Sequence, residues 1–207
     1  MSMSGLCKLF NIEYRQSRVC DGLCEKYLCI RTEGSCNFFR ASIGVNESAV
    51  NAKLFEAGLD ISTELDEKFG RKTIAAKMTD VPGHTIGMVP LMRKRGLEFL
   101  HIGVNSATPV PPVPPLFKWK NGDEYITVMY EDGYGCTQEF DDFVLCFAHT
   151  HDNCGPQSKE EIIKVYEEIQ KKFPDYTLKA ATLNDVAERV RNIKNIPVIE
   201  KEIGDTW

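Results

Sequence analysis

The chain has 207 residues, 43% of them apolar and 27% charged, and a formal net charge of −5 at pH 7. These values exclude collagen-like, mucin-like and wholly disordered chains, and the length suffices for a hydrophobic core without disulfide or metal staples. The acidic balance offers no electrostatic footprint for nucleic acid or for an anionic membrane surface. No apolar run approaches the ~20 residues of a membrane span. Met1 to Phe10 lacks the apolar stretch of an export leader. The expectation is therefore a cytoplasmic protein with no nucleic-acid and no membrane partner.

Five of the eight cysteines, Cys7, Cys20, Cys24, Cys29 and Cys36, precede residue 47. Only Cys20 and Cys24 have the spacing of a zinc knuckle, and no histidine occurs before His84. They read as free thiols rather than as a zinc site or a disulfide framework. The stretch shows neither a period of 2 nor one of 3.6. Residues 1–46 thus read as a cysteine-rich, poorly ordered N-terminal extension, and residues 47–207 as the folded body.

From Glu47 the texture changes. Leu54, Phe55, Leu59, Ile61, Leu65 and Phe69 form a loose helical face that ends at Gly70, in the position of a C-cap. Thr73 to Met78 reads as a strand. A short helix begins near Pro90 and stops at Gly96. Glu98 to Val104 and Tyr125 to Tyr130 read as further strands. Between them, the five prolines from Pro109 to Pro115 impose a stiff extended connection. Phe143 to Ala148 is a continuous apolar run, the pattern of a parallel strand covered on both faces.

The most regular helix spans 159–172. Ser158 and Glu161 form a capping-box pair ahead of it, and Ile162, Val165, Tyr166, Ile169 and Phe173 form its stripe. Tyr176 to Ala181 reads as a strand. A second capping box at Thr182 and Asp185 opens a helix carrying Val186, Val190 and Ile193, and Ile196 to Ile199 reads as a last strand. Strands alternating with helices predict an α/β fold, a parallel sheet covered by helices.

In such folds, active sites collect just beyond the C-terminal ends of the strands. Asp80 and His84 follow the first strand of the body, and Asn105 the second. Glu131 and Tyr134 follow the third. His149, His151 and Asp152 follow the apolar run, and Asp205 follows the last strand. His101 stands inside a strand. Taken singly, each reads equally well as a turn former, a structural hydrogen-bonder or a helix cap; it is their joint placement that points to a site.

There is no GxGxxG, no GxxxxGK[ST] and no GxSxG, which argues against a nucleotide cofactor and against a serine-hydrolase elbow. Cys154 has no readable partner base. Two carboxylates on one rim suit glycoside hydrolysis, and carboxylates with histidines also suit a divalent metal. Tyr130, Tyr134 and Trp119 are candidates for a sugar-stacking wall.

Thr79-Asp80-Val81-Pro82-Gly83-His84-Thr85, followed by a helix and Gly96-Leu97-Glu98-Phe99, resembles the Ile-Asp-Pro-Phe-Gly-His-Ser stretch of glycoside hydrolase family 38, the α-mannosidases. Leu145 to Asn153 is similar to that family's apolar strand ending in an Asp-Asp pair. Ala181 to Val186 is similar to its Gly-Thr-Leu-Ser-Asp-Tyr block, and Glu202 to Trp207 to its Ser-Gly-Asp-Phe-Phe block. The four blocks occur in the family's order.

The resemblance implies a seven-stranded β/α barrel of the glycoside hydrolase/deacetylase type, here partial, that hydrolyses glycosidic bonds with retention. It implies Asp80 as nucleophile and zinc ligand, Asp152 as acid/base, a carbohydrate substrate, and a zinc or other divalent cofactor. His84, His149, His151, Tyr134 and Asp205 are the expected substrate-binding residues. The family's His-x-Asp zinc pair has no match before Asp80, and its last zinc-ligating His would follow Trp207, so the chain reads as an incomplete barrel. Two other readings stay open: a metal-dependent deacetylase using Asp80, His149 and His151, and an inactive truncated barrel.

Overall fold

The structure is a computed structural model that describes residues 28–31, 52–79, 84–148 and 157–204. The elements run in the order β1 (Leu28–Arg31), α1 (Ala52–Phe69), β2 (Ala75–Thr79), α2 (Met88–Lys94), β3 (Phe99–Val104), β4 (Leu116–Asn121) and β5 (Glu124–Asp132). They continue with β6 (Gln138–Glu139), β7 (Val144–Ala148), α3 (Lys159–Lys172), β8 (Ala180–Ala181), α4 (Leu183–Val190) and β9 (Val198–Ile199).

The local signals act where the sequence places them. Gly70 and Gly96 take the left-handed conformation, φ +61° and +77°, and stop α1 and α2. Ser158 accepts a hydrogen bond from the Glu161 N–H while Glu161 accepts one from the Ser158 N–H, closing the capping box of α3. Thr182 and Asp185 do the same for α4. Ser158→Ala should lower the unfolding free energy by about 1 kcal/mol. Ser158→Asp, which keeps an acceptor, should restore most of it. Urea unfolding of the two variants checks this, and equal losses would contradict it.

The fold is α/β, with a five-stranded, mostly parallel sheet in the order β2-β3-β5-β4-β9. β2–β3, β3–β5 and β4–β9 are parallel. The sheet is not purely parallel, as the strand–helix alternation predicts, because β4 runs antiparallel to β5 and joins it through a tight turn at Gly122-Asp123. The proline run is the irregular connection from β3 to β4, as expected. A second sheet has the order β6-β7-β1-β8. Its strand Leu28–Arg31 lies within the cysteine-rich 1–46 stretch and pairs in parallel with both β7 and β8. The strand expected at 176–181 is confined to Ala180–Ala181. Tyr176 and Leu178 instead pack on a small apolar cluster.

Alternation along the strands builds two cores. One face of β2, β3 and β5 presents Ala76, Met78, Leu100, Ile102, Val128 and Tyr130 to Phe55 and Leu59 of α1 and to Met88, Val89 and Met92 of α2. The other face presents Ala75, Phe99 and Met129, which pack with Phe143, with Leu145 of β7 and with four residues of α4. The far side of β7, Val144, Cys146 and Ala148, is covered by Val165 and Ile169 of α3 and by Phe173. The layers are therefore helices, sheet, interior, sheet, helix.

The α4 helix sits at the N-terminal end of β2, where Asn184 Oδ1 accepts from the Ile74 and Ala75 N–H groups at 3.1 and 3.2 Å. The opposite end of the interior is the one from which the post-strand residues depart. Among the described residues no strand pairing joins the two sheets into a ring.

Candidate functional site

The interior face of the five-stranded sheet begins apolar and turns polar toward the strands' C-terminal ends. Parallel register sets Lys77 beside His101, and sets Glu131 beside Gly103, one step nearer the ends. Three ionisable side chains from three adjacent strands thus share one face. Lys77 Nζ lies 2.8 Å from His101 Nδ1, and His101 Nε2 lies 2.6 Å from Glu131 Oε2. The side chains of His101 and Glu131 are 0% exposed, while Lys77 is only partly buried.

The loop after β5 completes the cluster. Tyr134, with φ +65°, folds back over Gly103 and brings its carbonyl to Lys77 Nζ at 2.6 Å. Two residues on, the Cys136 N–H donates to Glu131 Oε2 at 3.3 Å and its thiol to Oε1 at 3.4 Å. From β7, the Phe147 ring lies tilted at 36° against the His101 ring, centroids 4.6 Å apart, with its centroid 5.1 Å from Lys77 Nζ. The cluster is thus tied together by backbone, aromatic and charged groups from β2, β3, β5, β7 and one loop.

Burial decides its electrostatics. Desolvation pushes the Lys77 ammonium down from its ordinary 10.5 to about 7, against the opposing pull of the Glu131 carboxylate. Glu131 is pushed up by burial, but hydrogen bonds from His101, Gln138 and Cys136 outweigh this and hold it below the usual carboxylate range. Burial and the Glu131 charge push the Cys136 thiol up, so it is not an activated nucleophile at neutral pH. An ionised Glu131 only accepts hydrogen bonds, so His101 Nε2 carries a hydrogen, and Nδ1 is the nitrogen that faces Lys77.

This arrangement has a pH signature. Below about pH 7 Lys77 is charged in both the folded and unfolded chain, and the cost of burying that charge is present in full. Between about 7 and 10.5 the folded chain has released the proton while the unfolded chain still holds it. Stability therefore rises with pH across that window. At about 1.4 kcal/mol per unit, the gain is at most about 5 kcal/mol. Urea unfolding at both ends of the window should show the gain in the wild type and its loss in Lys77→Met. An identical pH slope in the two proteins would contradict it.

Of the site residues that the family resemblance implies, the structure describes His84 and Tyr134. His84 is 3% exposed, meets the Tyr130 ring edge-on at 5.7 Å, and pairs its backbone with Ile203. Tyr130 and Ile203 belong to the helix-side core. His84 therefore sits on the opposite face of the sheet from Lys77. Tyr134 is in the cluster, though through its backbone carbonyl; its hydroxyl accepts from Asn105 Nδ2 at 3.1 Å. Of the candidate stacking aromatics, Trp119 is 0% exposed, with its Nε1–H donating to the Lys201 carbonyl, and Tyr130 is in the core. Asp80, His149, His151, Asp152 and Asp205 lie outside the described residues.

Lys77 is not singled out by the sequence reading, and His101 is noted only as a strand residue. The signal was present: a lysine and a histidine each standing alone inside an apolar parallel strand have to be paired.

The described residues do not fit a zinc site. Among them, no group of three or more His, Cys, Asp or Glu side chains is arranged to hold a metal ion. His101 and Glu131 bond directly to one another. Asp80, the one zinc ligand expected, lies outside the described residues, and a single carboxylate falls short of the three or four protein ligands that zinc takes.

No family model matches the chain, and no curated protein matches it. Among solved structures, it is similar to an alpha-mannosidase from Enterococcus faecalis V583, with a TM-score of 0.53 and 13% identity over 74% of this chain and 20% of that one. It is also similar to a 4-alpha-glucanotransferase from Thermococcus litoralis, with a TM-score of 0.49 and 11% identity over 77% of this chain and 27% of that one. The chain thus spans about a quarter or less of the length of these proteins. The likeness to the mannosidase is one of fold, the α/β arrangement described above. Among the described residues no helix is long and apolar enough to cross a membrane.

Proposed function

We propose that the chain is a carbohydrate-active hydrolase domain built on a partial β/α barrel of the family 38 glycoside hydrolase type. The observation that carries this reading is the position of two acids in the chain. Asp80 directly follows β2, and Asp152 follows β7 by four residues. These are the C-terminal ends of parallel strands in two sheets that pack face to face, where α/β enzymes keep their chemistry. The likeness of fold to a mannosidase supports the same reading.

In the proposed reaction, the Asp152 carboxyl gives its proton to the glycosidic oxygen as the C–O bond breaks. An Asp80 oxygen bonds the anomeric carbon from the opposite face. Water, deprotonated by Asp152, then displaces Asp80 and restores the original configuration. A retaining pair of this kind stands ~5–5.5 Å apart. His84, His149, His151, Tyr134 and Asp205 are the proposed sugar-binding groups. The steps use the two carboxylates alone.

The test is turnover of a panel of aryl glycosides by the purified chain, with and without added zinc. The expected result is release of the aryl alcohol from at least one glycoside, with a first sugar product of retained configuration. Inversion, or no turnover of any member of the panel in either condition, would overturn the reading.

A further inference from the structure

We propose that Lys77 is a carbonyl-reactive amine: the Lys77–His101–Glu131 chain is a nucleophile–base–orienter triad that condenses with the aldehyde or ketone group of a small ligand to form an imine. The proposal goes beyond the glycosidase reading and does not rest on it, since neither Asp80 nor Asp152 takes part.

The geometry is that of an activated nucleophile. The nucleophilic atom, Lys77 Nζ, is 2.8 Å from the base nitrogen, His101 Nδ1, and the base is held on its far side by Glu131 at 2.6 Å. A lysine amine has two hydrogens and one lone pair. Both hydrogens have fixed acceptors here, the Tyr134 carbonyl at 2.6 Å and His101 Nδ1. Among the described residues these two acceptors take both hydrogens of the neutral amine and leave its lone pair uncommitted. Phe147 forms an apolar wall 5.1 Å from Nζ, which keeps the amine poorly hydrated. Of the three side chains, those of His101 and Glu131 are fully buried and Lys77 alone is half-buried.

The downward shift of Lys77 to about 7 supports the same reading, because half of the amine is then neutral near physiological pH. Among the described residues, the groups facing it are His101 from β3, Glu131 from β5, Phe147 from β7, and Tyr134 from the loop after β5, whose Cys136 also bonds to Glu131.

The step balances. The Nζ lone pair bonds the carbonyl carbon as the C=O π bond opens. One N–H proton passes to His101, whose imidazolium is stabilised by Glu131. His101 gives that proton to the alkoxide oxygen, forming the carbinolamine, then takes the second N–H proton and delivers it to the departing hydroxyl, which leaves as water. The sum is amine plus carbonyl giving imine plus water, with no change of oxidation state.

The experiment is reductive trapping on the full chain, using glyceraldehyde and sodium cyanoborohydride with peptide mass mapping across a pH series. The expected result is a reduced adduct on Lys77 ahead of the exposed lysines, with labelling half-maximal near pH 7. In His101→Gln, with fold checked by circular dichroism, labelling at Lys77 should fall by roughly a hundredfold. Lys77 left unmodified while exposed lysines react would overturn the proposal, as would equal labelling in the folded His101→Gln protein. If that variant does not fold, the wild-type profile decides: a midpoint above pH ~9, that of an ordinary lysine, overturns it.

Discussion

Gly103→Ala is expected to destabilise the protein by about 3 kcal/mol, the upper end of the usual cost of overpacking. A Cβ on Gly103 would stand 2.5 Å from Tyr134 Cα and 2.7 Å from its carbonyl carbon. These are backbone atoms, so no side-chain rotation relieves the clash; either the strand or the loop must move. The loop is the weaker partner. Gly133 and Tyr134 both sit at φ +65° and are held by N–H bonds to the Val104 carbonyl at 2.8 and 3.3 Å, whereas the strand is laddered to a neighbour on each side.

Displacing the loop withdraws the Tyr134 carbonyl from Lys77 and loosens the Cys136 bonds to Glu131. Two readouts should therefore move together, the unfolding free energy and the titration of Lys77. A variant within ~0.5 kcal/mol of the wild type, the range of ordinary surface changes, would show that the loop does not close on Gly103.

Asp80→Asn is expected to lower glycoside turnover by at least roughly a thousandfold, because an amide forms no glycosyl ester and the double displacement loses its first step. The substitution is nearly isosteric, and its position follows β2 rather than standing within it. The unfolding midpoint should change little. Loss of activity with retained stability separates a nucleophile from a residue with a purely structural role. Turnover within tenfold of wild type, on the order of 1.4 kcal/mol in barrier, would remove Asp80 from that role.

Local signals carried much of the fold. The capping boxes at Ser158 and Thr182 and the glycines at 70 and 96 mark helix ends that the structure places within a residue or two. Such features act over a few residues, so a single sequence shows them. The elements missed were β1, β4 and the two-residue β6, of which β4 is the longest. The proline run draws the reading toward a loop, although Leu116 to Lys120, Asn121-Gly122 and Tyr125 to Tyr130 together form a hairpin pattern. Tyr176 to Leu178 illustrates the opposite error: residues with strand propensity whose side chains pack into a core while their backbone lacks a strand partner.

The polar cluster was the least legible part. Lys77, His101 and Glu131 are separated by 24 and 30 residues in the chain, and only the parallel register of three strands makes them neighbours. The clasp on Lys77 depends on a left-handed tyrosine and a bare Gly103, which no periodicity reveals. What a sequence can show is a polar residue inside an apolar strand that must find a partner. Which partner it finds is a property of the sheet.

The most direct test of the Asp80 assignment is covalent trapping with a fluorinated glycosyl fluoride. Its fluoride leaves without acid assistance, and its ring fluorine slows the second displacement, so the glycosyl-enzyme accumulates. Peptide mass mapping should find one glycosyl group per chain, carried on Asp80, and none on the Asp80→Asn protein. A label on another carboxylate, or no label at all, would contradict the account.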